Sequence, residues 1–266
     1  MIQKLQRTEK AAGIFSEWED TMVWSALQGI MGDIYGNESM TAAAVISGDF
    51  CFLGGEPDRE LAELLVGTPF IIAVPENEDW STLIEAVHTG HAALATRYAI
   101  KKEPDVFCEE QLRKLVEGLP EGYILRTIER ELYEACKSEA WCRDLVSQYP
   151  TYERYEQLGL GMAVLMGGAI VAGASSYSTY QGGIEIEIDT HIAHRRKGLA
   201  TCCGAALILE CLQRRIYTSW DAQNRWSVAL AEKLGYHFSH EYLVYEIQYG
   251  GEKDDETGLE TSNGCR

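Results

Sequence analysis

His194-Arg195-Arg196-Lys197-Gly198-Leu199-Ala200 lies at the centre of the stretch that decides how this chain folds, Gly183 to Tyr236. Before it, Ile184-Glu185-Ile186-Glu187-Ile188 alternates strictly between apolar and polar residues, which predicts a strand with one buried and one polar face. After it, Leu199 to Leu212 is almost unbrokenly apolar or small, which predicts a helix buried on most sides. The helix closes on Gln213-Arg214-Arg215, whose cations suit the negative end of a helix dipole. Strand, glycine turn and buried helix together make an anion site. Free backbone N–H groups point outward, and Gly198 leaves room for a phosphate where a Cβ would block it. In a chain of formal net charge -18, the cluster Arg195, Arg196 and Lys197 stands out.

The nucleotide P-loop is excluded, because it needs G-x-x-x-x-G-K-[ST] and Lys197 precedes the single glycine here. G-x-G-x-x-G is absent as well. What fits is [QR]-x-x-G-x-[GA], written here Arg195-Arg196-Lys197-Gly198-Leu199-Ala200. This turn resembles the pyrophosphate-binding turn of the GCN5-related N-acetyltransferases, the GNAT superfamily. The flanks extend the resemblance. Ile216-Tyr217-Thr218-Ser219-Trp220 predicts a strand parallel to the first, and Asn224 predicts the N-cap of a helix from Arg225 to Leu234 stopped by Gly235. An Asn that opens a helix ending in Leu-Gly-[Phe/Tyr], here Leu234-Gly235-Tyr236, is similar to the corresponding GNAT helix. The likeness covers Tyr123 to Tyr249. Within the superfamily, the long first half and the run from Glu-Ile-Asp-Thr-His to Asn-Arg-Trp-Ser are similar to bacterial proteins related to the zwittermicin A resistance acetyltransferase.

The resemblance implies an α+β fold. It has a mixed, mostly antiparallel sheet with a splayed parallel strand pair, flanked by helices and preceded by a second α/β domain. Gly118-Leu119-Pro120-Glu121-Gly122 reads as the boundary, giving an N-terminal domain over 1–121, a coenzyme-binding domain over 122–249 and a disordered tail over 250–266. Residues 5–35 predict a helix with Ile14, Phe15, Trp18, Met22, Trp24 and Leu27 along its apolar stripe. Ala42 to Leu53 predicts a strand pair or a bent strand, followed by alternating helices and strands to Glu117. This first half is either a degenerate GNAT-like duplicate or an unrelated cap. No second phosphate turn occurs in it, so a cap or dimerisation role is favoured, and a homodimer is compatible with it. Beyond the boundary, Tyr123 to Ile128 predicts a strand, Glu131 to Gln148 a helix, and Gly161 to Tyr177 two antiparallel strands.

With 41 Asp and Glu against 23 Lys and Arg, the chain lacks the basic stripe of a nucleic-acid surface. Acidity favours a cationic substrate such as an amine, although solubility alone accounts for most of the carboxylates. The eight cysteines show neither C-x-x-C nor metal-ligand spacing and read as reduced core residues. Neither a signal peptide nor a membrane-spanning run is visible, so a cytoplasmic protein is expected, with no membrane partner and no metal.

For such proteins the resemblance implies direct transfer from acetyl-coenzyme A to a primary amine, for which a small molecule is the expected acceptor. Gly198, Leu199 and Ala200 would meet the diphosphate with Arg195, Arg196 and Lys197 adding charge. The pantetheine arm would run beside Ile186, Ile188 and Asp189. Glu185 and Glu187 are the candidate general bases, Glu185 being ranked first, while the bland alternative makes both the wet face of a strand. Many GNAT proteins place a Tyr on the last helix to protonate the thiolate; here that position is Ala231, which leaves Ser227, Asn224, a water or, if it faces the cleft, Tyr217. His191 and His194 precede the turn, where a solvated loop is the commoner setting. Trp18, Trp24, Trp141 and Trp226 read as core. Two alternatives stand beside the small-molecule enzyme: a protein acetyltransferase acting on a Lys or N-terminal amine, and an inactive coenzyme A-binding module, motivated by Ala231.

Overall fold

The computed structural model describes residues 1–6 and 8–250. Apart from Gly250, the expected disordered tail lies outside the described residues. Asp20 starts the first helix, α1 (Thr21–Leu27), and Gly29 and Gly32, at φ +69° and +87°, turn the chain away after it. The helix expected over 5–35 is thereby reduced to one of seven residues, preceded by a 3₁₀ turn at Thr8–Lys10. Its apolar residues are real, but Phe15, Met22, Val23 and Ala26 cover a sheet instead of forming one continuous stripe.

That sheet begins with β1 (Gln3–Lys4), β2 (Asp33–Gly36), β3 (Ala42–Ser47) and β4 (Phe50–Gly55), each antiparallel to the one before. The helix α2 (Arg59–Glu63) then carries the chain to β5 (Ile71–Pro75), parallel to β4. After α3 (Glu78–Val87), β6 (Ala92–Ile100) and α4 (Glu109–Glu117), the same plan repeats. Antiparallel β7 (Tyr123–Thr127), β8 (Gly161–Met166), β9 (Ala169–Tyr180) and β10 (Gly183–Thr190) are followed by the long helix α7. Between β7 and β8 lie α5 (Arg130–Ser138) and α6 (Tyr152–Leu158). The single helix expected over 131–148 is broken at Glu139, which is extended, and a 3₁₀ turn at Ala140–Leu145 buries Cys142 and Leu145 instead. The helix α7 (Leu199–Arg214) leads to β11 (Tyr217–Ser219), parallel to β10.

The first half therefore repeats the strand topology of the second, which favours the duplicated half over an unrelated cap. Its counterpart of the anion turn is Gly54 to Asp58, and it is filled by its own acids. Asp58 accepts the N–H groups of Glu60 and Leu61, and Glu76 accepts that of Gly55 at 2.7 Å. Those three N–H groups are thereby already satisfied.

Two elements cross the expected division at residue 121. The last strand, β13 (Phe238–Ile247), lies between β5 and β6 in the eight-stranded sheet, and β12 (Asp221–Ala222) pairs with the far edge of β6. In the other direction, Leu112, Leu115 and Val116 of α4 pack into the core of the second half. That core is built on α7, whose small residues allow close approach: a Cβ on Gly204 would stand 2.8 Å from Leu234 of α8 (Arg225–Leu234). The helix α8 also closes as expected, with Gly235 at φ +111°. Among the described residues six cysteines are buried, Cys108 is exposed, and none forms a disulfide.

Because β13 supplies the neighbour of both β5 and β6, a chain ending at Gly235 leaves two facing strand edges unpaired. Loss of cooperative thermal unfolding is expected, followed by circular dichroism. A native-like transition in that truncated chain would contradict the interlocked halves.

Candidate functional site

The parallel pairing of β10 with β11 lasts three residues, Gly183 to Glu185 opposite Tyr217 to Ser219. At Trp220 the chain leaves and joins the other sheet as β12. From Ile186 to Thr190, β10 keeps β9 on one side and has no strand on the other among the described residues. A ladder irregularity against β9 falls between Glu185 and Ile186, where a bulged strand bends. The result is a wedge with one open backbone edge.

The edge runs into the turn. After a 3₁₀ turn at Ile192–His194, Arg196 takes φ +61° and Gly198 takes φ +79° with ψ 6°. The need for glycine at 198 is therefore conformational: a Cβ there would meet open space in the structure, but the left-handed backbone disfavours one. The first N–H returned inside α7 is that of Cys202, to Gly198 O, so those of Leu199, Ala200 and Thr201 emerge from the helix end. Arg195, Arg196 and Lys197 are exposed beside them. Lys197 Nζ donates to Tyr123 Oη at 3.2 Å, and Arg195 Nε donates to Thr190 O at 3.3 Å. Positive charge, a free helix end and a left-handed glycine fit a diphosphate. His191 stacks edge-on with Trp141, and Tyr123 Oη bonds His194 Nδ1 at 3.0 Å, so both histidines belong to the wall of the loop.

At the vertex of the wedge stands Glu185. It is only 7% exposed, Thr21 Oγ1 donates to its Oε2, and its Oε1 has no hydrogen-bond partner among the described residues. Burial pushes its carboxyl up to about 7, reinforced by Asp221 and Asp20 and opposed by the Thr21 hydrogen bond and Lys102. Glu187 is half-buried and pushed up to about 8, by burial first and then by the charges of Asp189 and Asp144. Asp189 rises to about 6 by burial and Asp144, with Arg195 pulling it down. Both candidate bases thus sit in the range where a carboxylate can take a proton near neutral pH. Glu185, at 7% exposed, is not a solvated strand-face residue.

Asn224 caps α8 as expected, its Oδ1 accepting Ser227 N–H at 3.0 Å. The Ser227 hydroxyl accepts the Trp220 indole N–H at 3.0 Å and keeps its own proton to donate. Tyr217 is removed as a candidate acid: its hydroxyl accepts Glu103 N–H at 3.0 Å and donates to Lys101 O, held by the Lys101–Glu103 backbone. Trp226, expected in the core, is 86% exposed on α8, because Val228, Ala231 and Leu234 take the inward face. Trp18, Trp24 and Trp141 are half-buried.

Several residues near Glu185 were not singled out from the sequence. Thr21 and Asp20 come from α1, and Asp20 heads that helix without using its side chain as a cap. Asp221 is held by Arg97 Nε at 2.5 Å and by Tyr242 Oη at 2.7 Å. An Asp before an apolar run marks a helix start, so Asp20-Thr21 carried a local signal. Nothing local pointed to Arg97 or Asp221. Among the described residues there is no cluster of His, Cys, Asp or Glu that could hold a metal ion, and no helix long and apolar enough to cross a membrane.

Residues 12–245 match the family model described as GNAT acetyltransferase. The chain is 25% identical over 241 residues to the uncharacterized N-acetyltransferase YdfB of Bacillus subtilis (strain 168), covering 85% of this chain and 89% of that one. Among solved structures, it is 44% identical to a GCN5-related N-acetyltransferase-like protein from Streptococcus suis 89/1591, with a TM-score of 0.87 over 91% of this chain and 98% of that one. A tandem GNAT protein from the clavulanic acid biosynthesis pathway, 12% identical, shares the fold at a TM-score of 0.54 over 95% of this chain and 99% of that one. The matched family model spans most of both halves, and its fold is the one built above from the wedge and the turn. The chain belongs to the GNAT acetyltransferase family.

Proposed function

We propose that the protein transfers the acetyl group of acetyl-coenzyme A to a primary amine of a small molecule, with Glu185 as general base. The observation that carries this reading is the open edge of β10, which joins a buried carboxylate with an unpartnered oxygen to a helix end with free N–H groups. The N–H groups of Leu199 and Ala200, with Arg195 and Arg196, would bind the diphosphate. Backbone groups of Ile186 and Ile188, beside Asp189, would pair with the pantetheine amides as a missing strand does.

In the transfer itself, the amine nitrogen forms a bond to the thioester carbonyl carbon and the carbon–sulfur bond breaks. Glu185 takes the proton that the nitrogen loses, directly or through Glu187 and water. The thiolate leaves with the electron pair and is protonated by Ser227 or by solvent, since Ala231 is fully buried and carries no acid. The first half covers the acceptor side, where α1 fixes the base through Thr21.

Three outcomes are expected. Glu185→Gln lowers kcat/KM for acetyl transfer by about 10²- to 10⁴-fold and removes the rise in rate through pH 7. Unchanged turnover in that variant would sink the base assignment. Gly198→Val weakens acetyl-coenzyme A binding by roughly tenfold or more in calorimetric titration, because valine is strained at this φ. Equal affinity would detach the turn from the coenzyme.

The same glutamate predicts a pH dependence of stability. Its folded value of about 7 lies above its ordinary 4.5, so the folded state holds an extra proton between those values. The associated stability is fully present below pH 4.5 and is lost as pH rises towards 7. Glutamine stays neutral throughout. The melting temperature of Glu185→Gln, relative to wild type, is therefore expected to climb between pH 5 and pH 8; a difference independent of pH would mean that Glu185 is not buried as described.

A further inference from the structure

Nearly every hydroxyl along the end of β9 is engaged. Ser175 Oγ pairs with Tyr155 Oη at 2.9 Å, Ser176 Oγ pairs with Tyr149 Oη at 2.7 Å, and Thr179 Oγ1 donates to Leu158 O at 2.7 Å. Tyr177 Oη accepts the Asp49 N–H at 2.8 Å, and Tyr180 Oη pairs with Ser219 Oγ at 3.0 Å. Ser178 is the exception. It is fully buried, and its Oγ has no hydrogen-bond partner among the described residues. A buried hydroxyl in that state is costly and calls for a physical reason.

The register of the sheet supplies one. Ser178 stands directly opposite Glu185 in the antiparallel β9–β10 pair, so the two side chains share a face, with Cβ atoms about 5 Å apart. On the other flank Ser219 of β11 is also in register with Glu185, but its hydroxyl is taken by Tyr180. Thr21 serves Glu185 Oε2. The remaining carboxylate oxygen, Oε1, is buried and unpartnered among the described residues, like the serine across from it. An orphaned donor and an orphaned acceptor are thus cross-strand neighbours that form no direct hydrogen bond. One water molecule, at about 2.8 Å from each, closes a gap of this kind. The ladder loosens just beyond the pair, where Tyr177 has no opposite residue on β10.

We propose that Ser178 is a positioning residue for the base, holding at Glu185 Oε1 the water molecule through which the amine proton reaches the carboxylate. This rests on the acetyltransferase reading above and deepens it. Because Glu185 is only 7% exposed, a substrate nitrogen finds little of the carboxylate to touch, and a relay carries the proton the last step. The water oxygen accepts hydrogen bonds from the Ser178 hydroxyl and from the amine. As the nitrogen–carbon bond forms, the water takes the proton that the nitrogen loses and passes one of its own to Oε1. Water is thereby regenerated, and the serine makes and breaks no covalent bond. Thr21 and the bridged water both favour the charged carboxylate, which burial disfavours. The charged groups acting on Glu185 are Asp20 ahead of α1, Asp221 of β12 and Lys102 after β6. Tyr180, Tyr217 and Tyr236 are close enough to sense its charge.

Ser178→Ala removes the donor and leaves all of those groups in place. The first measurement needs no acceptor: pH titration of the Glu185 carboxyl group by carbon NMR in the full-length protein, its signal assigned by loss in Glu185→Gln. The midpoint is expected to rise by about half to one pH unit in Ser178→Ala. It is expected to stay unchanged in Ser175→Ala, which loses a buried hydroxyl bonded to Tyr155 instead. An unchanged or lowered midpoint in Ser178→Ala overturns the inference, and a raised melting temperature beside it would mark a hydroxyl that is simply buried without a partner. A high-resolution crystal structure of the wild type is expected to show a water within hydrogen-bond distance of both Ser178 Oγ and Glu185 Oε1; its absence overturns the inference even if the variant fails to fold. Thiol release from acetyl-coenzyme A in the presence of 1-aminobutane tests the activity itself. There kcat/KM is expected to fall roughly threefold or more at pH 7 in Ser178→Ala, the loss shrinking towards about pH 9 as the carboxylate ionises. Transfer that Glu185→Gln abolishes, with no shift of midpoint in Ser178→Ala, keeps the base and removes the serine. A shifted midpoint with no transfer to this amine supports the contact and counts against the activity.

Discussion

Three residue pairs hold β10 to β11, and the pairing then stops. Most of the site follows from that early end. Had the ladder continued past Glu185, the backbone edge from Ile186 to Thr190 would be closed. The stop is enforced from elsewhere in the chain. Asp221 is drawn to the other sheet by its pairing with Ala99 and by its ion pair with Arg97, while Trp220 is buried beside Tyr236. A wedge in one half is thus maintained by strands of the other. The exchange of β13 into the first sheet makes the two halves one structural problem, so that the geometry of the site is set by contacts spread over the whole chain.

The two halves share a strand topology and differ at the turn that follows the fourth strand. In the second half the turn between strand and helix keeps its N–H groups free and carries cations. In the first half Asp58 and Glu76 occupy the N–H groups of Glu60, Leu61 and Gly55 at the corresponding turn. Thr21 shows how closely the halves are coupled, since its hydroxyl bonds a carboxylate 164 positions away. The electrostatic consequence is a face on which burial and mutual repulsion lift carboxyl groups into the neutral range. That is a state a protein keeps at some cost to stability, as buried unpaired charge requires.

What could be read from the sequence was what is local. The alternation Ile184 to Ile188, the turn at Gly198, the buried helix after it and the Asn224 cap each occupy a few consecutive residues, and each is found where periodicity and capping put it. The long helix expected over residues 5–35 failed because a helical stripe and a set of residues covering a sheet have the same composition; only the positive φ values at Gly29 and Gly32 separate them. Trp226 was misplaced for a related reason, since three smaller residues of α8 claim the inward face. The parts of the site supplied by Asp20, Thr21, Arg97 and Asp221 were illegible, as they depend on long-range pairing that leaves no short pattern. The expected boundary at Gly118 to Gly122 is a genuine turn, but a turn does not reveal that β12 and β13 return across it.

The central claim is that the free edge of β10 and the free end of α7 form one continuous coenzyme site. Amide hydrogen exchange with and without acetyl-coenzyme A tests it most directly. The account predicts slower exchange on binding at Ile186 to Asp189 and at Leu199 to Thr201 together, with no change at Glu60 and Leu61, whose N–H groups Asp58 already holds. Protection confined to the first half, or none along β10, would contradict it.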